Sequence, residues 1–241
     1  MSAVEPRLVL GLQPVREAVR AHGSRVERIW LEDRDEPRLI ALARFATDQG
    51  VAVVERVARA KLDKVSRGTS HQGVAAWAPQ LVLHTAEQLL SKPDLLALAL
   101  DGIQDPQNFG AIIRSAVAVA DAAVVWAEHG AAPLTPATFR ASAGAIEHAP
   151  LCRVPALHGF VRDAVARGVT VIGLDVGADA TLSELELTRP LVLVVGSEHS
   201  GLARNVRRSV SQLARLVRTH HVDSLNASVA AAIALYLANK S

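Results

Sequence analysis

Leu95-Leu96-Ala97-Leu98-Ala99-Leu100-Asp101-Gly102-Ile103-Gln104-Asp105-Pro106-Gln107-Asn108-Phe109-Gly110-Ala111-Ile112-Ile113-Arg114-Ser115-Ala116 decides how this chain is read. Residues 95–100 are apolar without interruption, a polar loop follows, and Ile112, Ile113, Ala116 and Val119 then recur at helical spacing. The pattern predicts a strand over 95–100 and a helix over 110–119. A strand without polar alternation has both faces covered, the mark of a mostly parallel sheet flanked by helices. Two further segments repeat the arrangement. Leu191-Val192-Leu193-Val194-Val195 runs into Gly196-Ser197-Glu198-His199-Ser200-Gly201, and a strand over 213–217 is followed by Ser224-Leu225-Asn226 and an Ala-rich helix over 224–238. Polar groups at such junctions sit where α/β proteins build ligand and catalytic sites.

Working outward, strands over 122–126, 151–154 and 169–174 and helices over 136–142, 157–167 and 203–209 complete a module over 94–241. Residues 79–93, bounded by prolines and weakly periodic, read as a linker with one short helix. Ahead of it, strands over 7–10, 26–31, 51–54 and 74–77 and helices after Pro14, over 37–49 and around 57–65 make a small α/β module over 1–78. No internal repeat is present.

The chain has 241 residues, half of them apolar, enough for a sizeable core and not the composition of a disordered chain. The formal charge is only +2, yet 22 of the 26 basic residues are arginine, whose planar donor fork suits phosphate. A GC-rich genome gives the same excess, so the local run Arg204, Arg207, Arg208, Arg215, Arg218 carries more weight than the total. A single cysteine, Cys152, excludes an internal disulfide and a multi-cysteine zinc site and reads as a small buried hydrophobe. The longest apolar runs are strand-length and the N-terminus carries Glu5, so neither a membrane span nor a signal peptide is expected, and the cytoplasm is the expected location.

Several candidate residues keep two readings. Asn108 caps the first helix or faces a ligand. Arg114 is a surface arginine or points past the sheet edge towards a phosphate or hydroxyl. Glu198 is an acidic residue favoured at a helix N-terminus, or part of a site whose glycines allow close backbone approach. Ser224 is an N-cap or a site residue. The dinucleotide fingerprint and the lysine of the phosphate loop are both absent. His220-His221 lacks a third metal ligand, and no Ser-His-Asp order or hydrolytic carboxylate pair can be argued. The residues alone give an α/β protein with a glycine-lined ligand loop and an arginine patch facing an anionic partner.

Taken together, 100–116, Val194-Val195-Gly196-Ser197-Glu198 with Gly201-Leu202, and Asp223-Ser224-Leu225-Asn226-Ala227-Ser228-Val229-Ala230 resemble the three motifs of the SpoU (TrmH-like) RNA ribose 2'-O-methyltransferases. Ser142-Ala143-Gly144-Ala145 resembles a further family segment. Gly11-Leu12-Gln13-Pro14-Val15-Arg16-Glu17-Ala18 and His71-Gln72-Gly73-Val74-Ala75 resemble the small RNA-binding domain of the branch that methylates guanosine in bacterial 23S rRNA. The resemblance implies a SPOUT-type parallel sheet with a C-terminal trefoil knot, S-adenosylmethionine as methyl donor, no metal, no DNA or membrane partner, and a homodimer formed through the knotted domain. It implies catalytic roles for Asn108, Arg114, Glu198, Ser224 and Asn226. Donor contacts are expected from Gly196, Ser197, Gly201, Leu216, Val217, Arg218, Leu225 and Asn226, and RNA contacts from Arg7, His71, Gln72, Arg114, Arg204 and Arg207. A free guanidinium has a pKa above about 12, so stabilising the developing oxyanion suits Arg114 better than acting as a base.

The chain departs from the family pattern at His199-Ser200, at Ala120-Asp121, and at Leu216-Val217-Arg218, where Ile-Pro-Met is usual. The last departure motivates one alternative, a non-catalytic RNA-binding or ribosome-assembly protein on the same fold. Another is the same chemistry on transfer RNA.

Overall fold

A computed structural model describes residues 5–132, 134–216 and 224–240. Among them the elements run β1 (Arg7–Leu10), α1 (Leu12–His22), β2 (Arg28–Glu32), α2 (Pro37–Asp48), β3 (Val54–Val57), α3 (Arg59–Ser66), β4 (Val74–Ala78), α4 (Ala86–Leu90), β5 (Leu96–Asp101), α5 (Pro106–Ala120) and β6 (Ala123–Ala127). There follow α6 (Pro136–Ala141), β7 (Leu151–Val154), α7 (Leu157–Ala166), β8 (Thr170–Leu174), β9 (Leu191–Gly196), α8 (Arg204–Arg207), β10 (Gln212–Ala214) and α9 (Ala227–Lys240). The chain divides into two units, Met1–Val82 with Leu134–His148, and Leu83–Pro133 with Ala149–Ser241.

The first unit is built on a sheet of order β1-β4-β2-β3, with β2 and β3 parallel and the other pairs antiparallel. Val15, Ala18 and Val19 of α1 and Leu39, Leu42 and Ala46 of α2 bury one face with Ile29 and Leu31. The third strand starts at Val54, three residues later than its apolar residues suggest. Val51 instead closes α2: its amide donates to the Ala46 carbonyl (3.0 Å) after Gly50 turns at φ 81°, the apolar residue that accompanies a glycine helix stop.

Residues 134–148, read from the sequence as part of the second module, group with the first unit. The reason is a buried ionic cluster. The fully buried Glu147 carboxylate takes the Arg7 guanidinium and lies 2.9 Å from His22 Nε2, while His148 Nε2 lies 3.0 Å from Glu17 Oε2. Gly144 belongs here too, since a Cβ on it would lie 2.7 Å from that of Glu17.

The second unit is a sheet of order β10-β8-β9-β5-β6-β7, parallel in every pairing. As the unbroken apolar runs require, β5 and β9 are its centre, with residues 96–100 and 191–195 buried. Chain order reverses between β5 and β9, a switch point whose strand ends open a crevice. Helix α5 begins at Pro106, a turn before its apolar periodicity, because Asp105 caps it: Oδ1 and Oδ2 accept from the Gln107 and Asn108 amides (3.1 and 3.2 Å). Asn108 is therefore not the cap. Nor is Ser224: α9 starts at Ala227, and Asn226 Oδ1 accepts from the Ser228 amide at 2.9 Å. Cys152 is fully buried, and burial pushes its thiol up to about 11, leaving it the inert small hydrophobe expected. The expected knot depends on a path through 217–223, which lies outside the described residues. No helix among the described residues is long and apolar enough to cross a membrane.

Candidate active site

Three segments meet here: those that follow β5 and β9, and the one that leads into α9. Their side chains converge on one oxygen. Glu198 Oε1 accepts from Asn108 Nδ2 (2.9 Å), from Asn226 Nδ2, and from the Ala227 amide (3.0 Å). Asn226 Nδ2 also donates to Asn108 Oδ1 (3.0 Å). The Ala227 amide opens α9, so the carboxylate sits against a helix N-terminus, where partial positive charge favours it. Asn108, Glu198 and Asn226, 28 to 118 residues apart, thus form a single hydrogen-bonded group. Ser224 stands nearby in the wall of the cavity described next, while Arg114 on α5 is exposed and has no hydrogen-bond or ion-pair partner among the described residues.

Beside this group lies a cavity of about 470 Å³, within the range of about 300–1,000 Å³ usual for small-molecule sites. Leu174, Val195, Leu202, Leu216, Leu225 and Ala230 give it apolar walls, and the 196–201 loop gives it a polar one. That loop is folded on itself: the Ser197 amide donates to the Gly201 carbonyl (3.2 Å), the Gly201 amide donates to the Ser197 carbonyl (2.9 Å), and Gly201 takes φ 63°. The closure leaves no room at Gly196, where a Cβ would stand 2.3 Å from the Gly201 carbonyl carbon and 2.6 Å from the Leu202 nitrogen. Gly196, Ser197, Gly201, Leu216 and Leu225, expected at a donor site, all line the cavity; Asn226 borders it through Glu198. Val217 and Arg218 lie outside the described residues.

Two carboxylates were not singled out from the sequence as site residues. Asp101, at the end of β5, accepts from the Ala203 amide at 2.6 Å and so ties the first motif to the start of α8; burial pushes its carboxyl above the ordinary value, against the lowering effect of that amide. Asp175, just past β8, lines the cavity and pairs with Arg207 Nε at 2.7 Å, a contact that holds its carboxyl below the usual range. Its signal was available, as a carboxylate directly following a strongly apolar strand. Arg207 is accordingly a cavity residue paired with Asp175, whereas Arg204 remains exposed.

The first-unit residues expected to touch RNA also make contacts within the unit. Arg7 is mostly buried: it holds Glu147, donates to the Pro79 carbonyl (2.6 Å) and lies over the Phe139 ring. Freeing it would strand a buried carboxylate at a cost of about 3–5 kcal/mol. His71 is also buried; its Nδ1 accepts from the Gly73 amide (3.0 Å), leaving Nε2 to donate to Asp63 Oδ1 (2.9 Å). Gln72 spends its side-chain oxygen on the Leu12 amide at the start of α1 (3.0 Å). Sequence resemblance does not separate a residue that shapes an RNA-facing loop from one that faces the RNA.

Residues 95–236 match the SpoU rRNA Methylase family, and residues 8–81 match the family described as RNA 2'-O ribose methyltransferase substrate binding. An uncharacterized tRNA/rRNA methyltransferase of Mycobacterium avium (strain 104) is 38% identical over 237 residues, covering 96% of this chain and 76% of that protein. Among solved structures, the SpoU methyltransferase AviRb from Streptomyces viridochromogenes, in complex with the cofactor AdoMet, is similar at a TM-score of 0.79 and 25% identity, covering 98% of this chain and 90% of that one. An RNA 2'-O ribose methyltransferase is similar at a TM-score of 0.80 and 26% identity, covering 98% and 88%. With both segments matched over nearly its whole length, the chain belongs to the SpoU family of S-adenosylmethionine-dependent RNA methyltransferases.

Proposed function

We propose that this chain methylates the ribose 2'-oxygen of a guanosine in 23S ribosomal RNA, with the donor held in the cavity between the 196–201 loop and α9. The observation that carries the reading is the convergence of Asn108, Asn226 and the Ala227 amide on Glu198 beside that cavity. The cavity fits the donor chemically: apolar leucines suit a purine ring, and the carboxylates of Asp175 and Glu198 among its lining suit a cation. When bound, S-adenosylmethionine supplies an electrophilic methyl on sulfonium sulfur.

The chain's own residues do the rest. Glu198 fixes the amides of Asn108 and Asn226, which then present fixed dipoles at the cavity rim. Arg114, exposed and without a partner among the described residues, meets the RNA and stabilises the 2'-oxygen as its proton passes to solvent. Arg204 is equally free for backbone phosphates, and the 1–78 module is the RNA-binding domain. Arg114→Ala is expected to lower methyl transfer about 100-fold or more while leaving the melting temperature and donor affinity unchanged. Full turnover in that variant would reject the role.

Methyl transfer to deproteinised ribosomal RNA and to a transfer-RNA pool, followed by nucleoside mapping, tests the target. Recovery of 2'-O-methylguanosine from 23S rRNA is the expected result, and modification of transfer RNA alone overturns it. Donor binding without transfer to either RNA, or no donor binding, favours the non-catalytic alternative.

The proposed enzyme works as a homodimer through the second unit. Val229, Ile233 and Tyr236 of α9 are exposed at 46%, 39% and 51%, and their spacing of four and three residues sets them in one apolar stripe. Ile233→Asp is expected to give a monomer by light scattering. A wild-type protein that is itself monomeric would sink the assignment.

A further inference from the structure

On β2, Arg28, Trp30 and Glu32 alternate onto the sheet face that α3 covers. Gly73 stands across from Glu32, its carbonyl accepting the Glu32 amide at 2.8 Å. A Cβ at residue 73 would lie 3.1 Å from Glu32 Oε2 and 3.3 Å from Arg34 Nη2. Beside Glu32 lies an open polar cavity of about 290 Å³, lined also by the loop from α3 to β4. Glu32 is only 9% exposed, and its Oε2 has no hydrogen-bond partner among the described residues. Two guanidiniums stand near it without bonding it, Arg34 Nε at 3.5 Å from Oε2 and Arg59 Nη1 at 3.8 Å from Oε1, and each is shared with a second carboxylate, Arg34 with Glu36 and Arg59 with Asp63. A buried carboxylate with unused acceptor capacity is costly unless something completes it.

We infer that this cavity takes the base of an unpaired guanosine in the substrate RNA, read at N1–H and N2–H by the Glu32 carboxylate. The inference rests on the reading of the chain as an RNA methyltransferase. A carboxylate only accepts. Among the four RNA bases, guanine alone offers two neighbouring, parallel N–H donors on its Watson–Crick edge. Adenine and cytosine set an amino group beside a ring nitrogen that would oppose the second oxygen, and uracil sets one N–H between two carbonyls. An edge that must be free of its partner is one presented by a loop or a single strand. Arg34 and Arg59 at the rim complement the flanking phosphates. His71 and Gln72 then serve the RNA indirectly, by bracing the loop that lines the cavity.

The test is fluorescence anisotropy of the full chain with short single-stranded oligouridylates carrying one central guanosine, inosine or adenosine. Inosine keeps N1–H and loses the amino group. The wild type is expected to bind the guanosine strand about tenfold tighter than the inosine strand, with adenosine weaker still. Glu32→Gln, which sets an amide N–H against a base N–H, is expected to erase that order. Ser70→Trp, at an exposed position in the cavity lining, is expected to bring all three strands to the same weak affinity without altering the floor; it carries the test if Glu32→Gln fails to fold. Equal wild-type affinities, or a preference retained in folded Glu32→Gln, overturn the inference. Guanosine 5'-monophosphate serves as competitor: displacement only far above the strand's own Kd supports an RNA subsite, and tighter binding of the free nucleotide overturns it. Methyl transfer to ribosomal RNA is measured alongside. A guanosine preference without transfer leaves this inference standing and removes the enzymatic reading; transfer without preference does the reverse.

Discussion

Gly196→Ala is expected to abolish donor binding, whereas Gly201→Ala, five residues on, is expected to be mild. The contrast follows from what a Cβ meets at each position. At Gly201 it meets nothing within 4 Å, and the cost is the left-handed φ of 63°, about 1 kcal/mol. At Gly196 it runs into the Gly201–Leu202 peptide group, whose carbon, oxygen and nitrogen would stand at 2.3, 2.4 and 2.6 Å. No rotamer relieves that overlap, because the obstructing atoms belong to the paired segment Ser197–Gly201 that closes the loop. The cost is about 3 kcal/mol or more, a drop in melting temperature of roughly 6–12 °C for a chain of this size. Opening the loop also removes the polar wall of the cavity. Affinity for S-adenosylmethionine is expected to fall about 100-fold or more, measured by calorimetric titration beside a melt. An alanine variant that binds within about threefold of wild type would show that this loop does not form the donor site.

Glu198→Ala should separate stability from activity. Three donors lose their common acceptor; the two asparagine amides can turn to water, whereas Ala227 is buried, so the loss of stability is expected to be about 1–3 kcal/mol. Activity depends on where Asn108 and Asn226 are held. Displacement of positioned groups by about 1 Å is enough for a hundredfold loss, so kcat/KM is expected to fall about 100- to 1,000-fold. Glu198→Gln keeps an acceptor without the charge, and the hydrogen bonds weaken by roughly half; a loss of about tenfold is expected. The ordering wild type, Gln, Ala in kcat/KM, with melting temperatures close together, is the signature of a positioning carboxylate. An alanine variant with wild-type kcat/KM would make Glu198 an ordinary N-terminal acidic residue.

The residues of this group were legible in the chain because of where they stand. Asn108, Glu198 and Asn226 each follow an apolar strand and lie at the start of a helix, and in a parallel sheet those junctions share one edge. Their roles within the junctions were not legible. Asn108 and Ser224 both suit a helix cap, yet Asp105 and Asn226 do the capping. The choice depends on which side chain has a competing partner, and for Asn108 that partner is Glu198, 90 residues away. Asp175 was passed over for the same reason, since only the pairing of β8 with β9 carries it to the cavity.

The sequence by itself determined the parallel sheet of the second unit, its buried strands, the two-part build and the three junctions. These follow from periodicity and local chemistry, which are properties of neighbours in the chain. Tertiary structure decided which oxygen the motifs share, that Gly196 admits no side chain, that residues 134–148 group with the first unit, and that Arg7 and the Gln72 side-chain oxygen are taken by partners within that unit. Most of these are competitions between partners distant in sequence, settled by burial and distance, and no local pattern records their outcome.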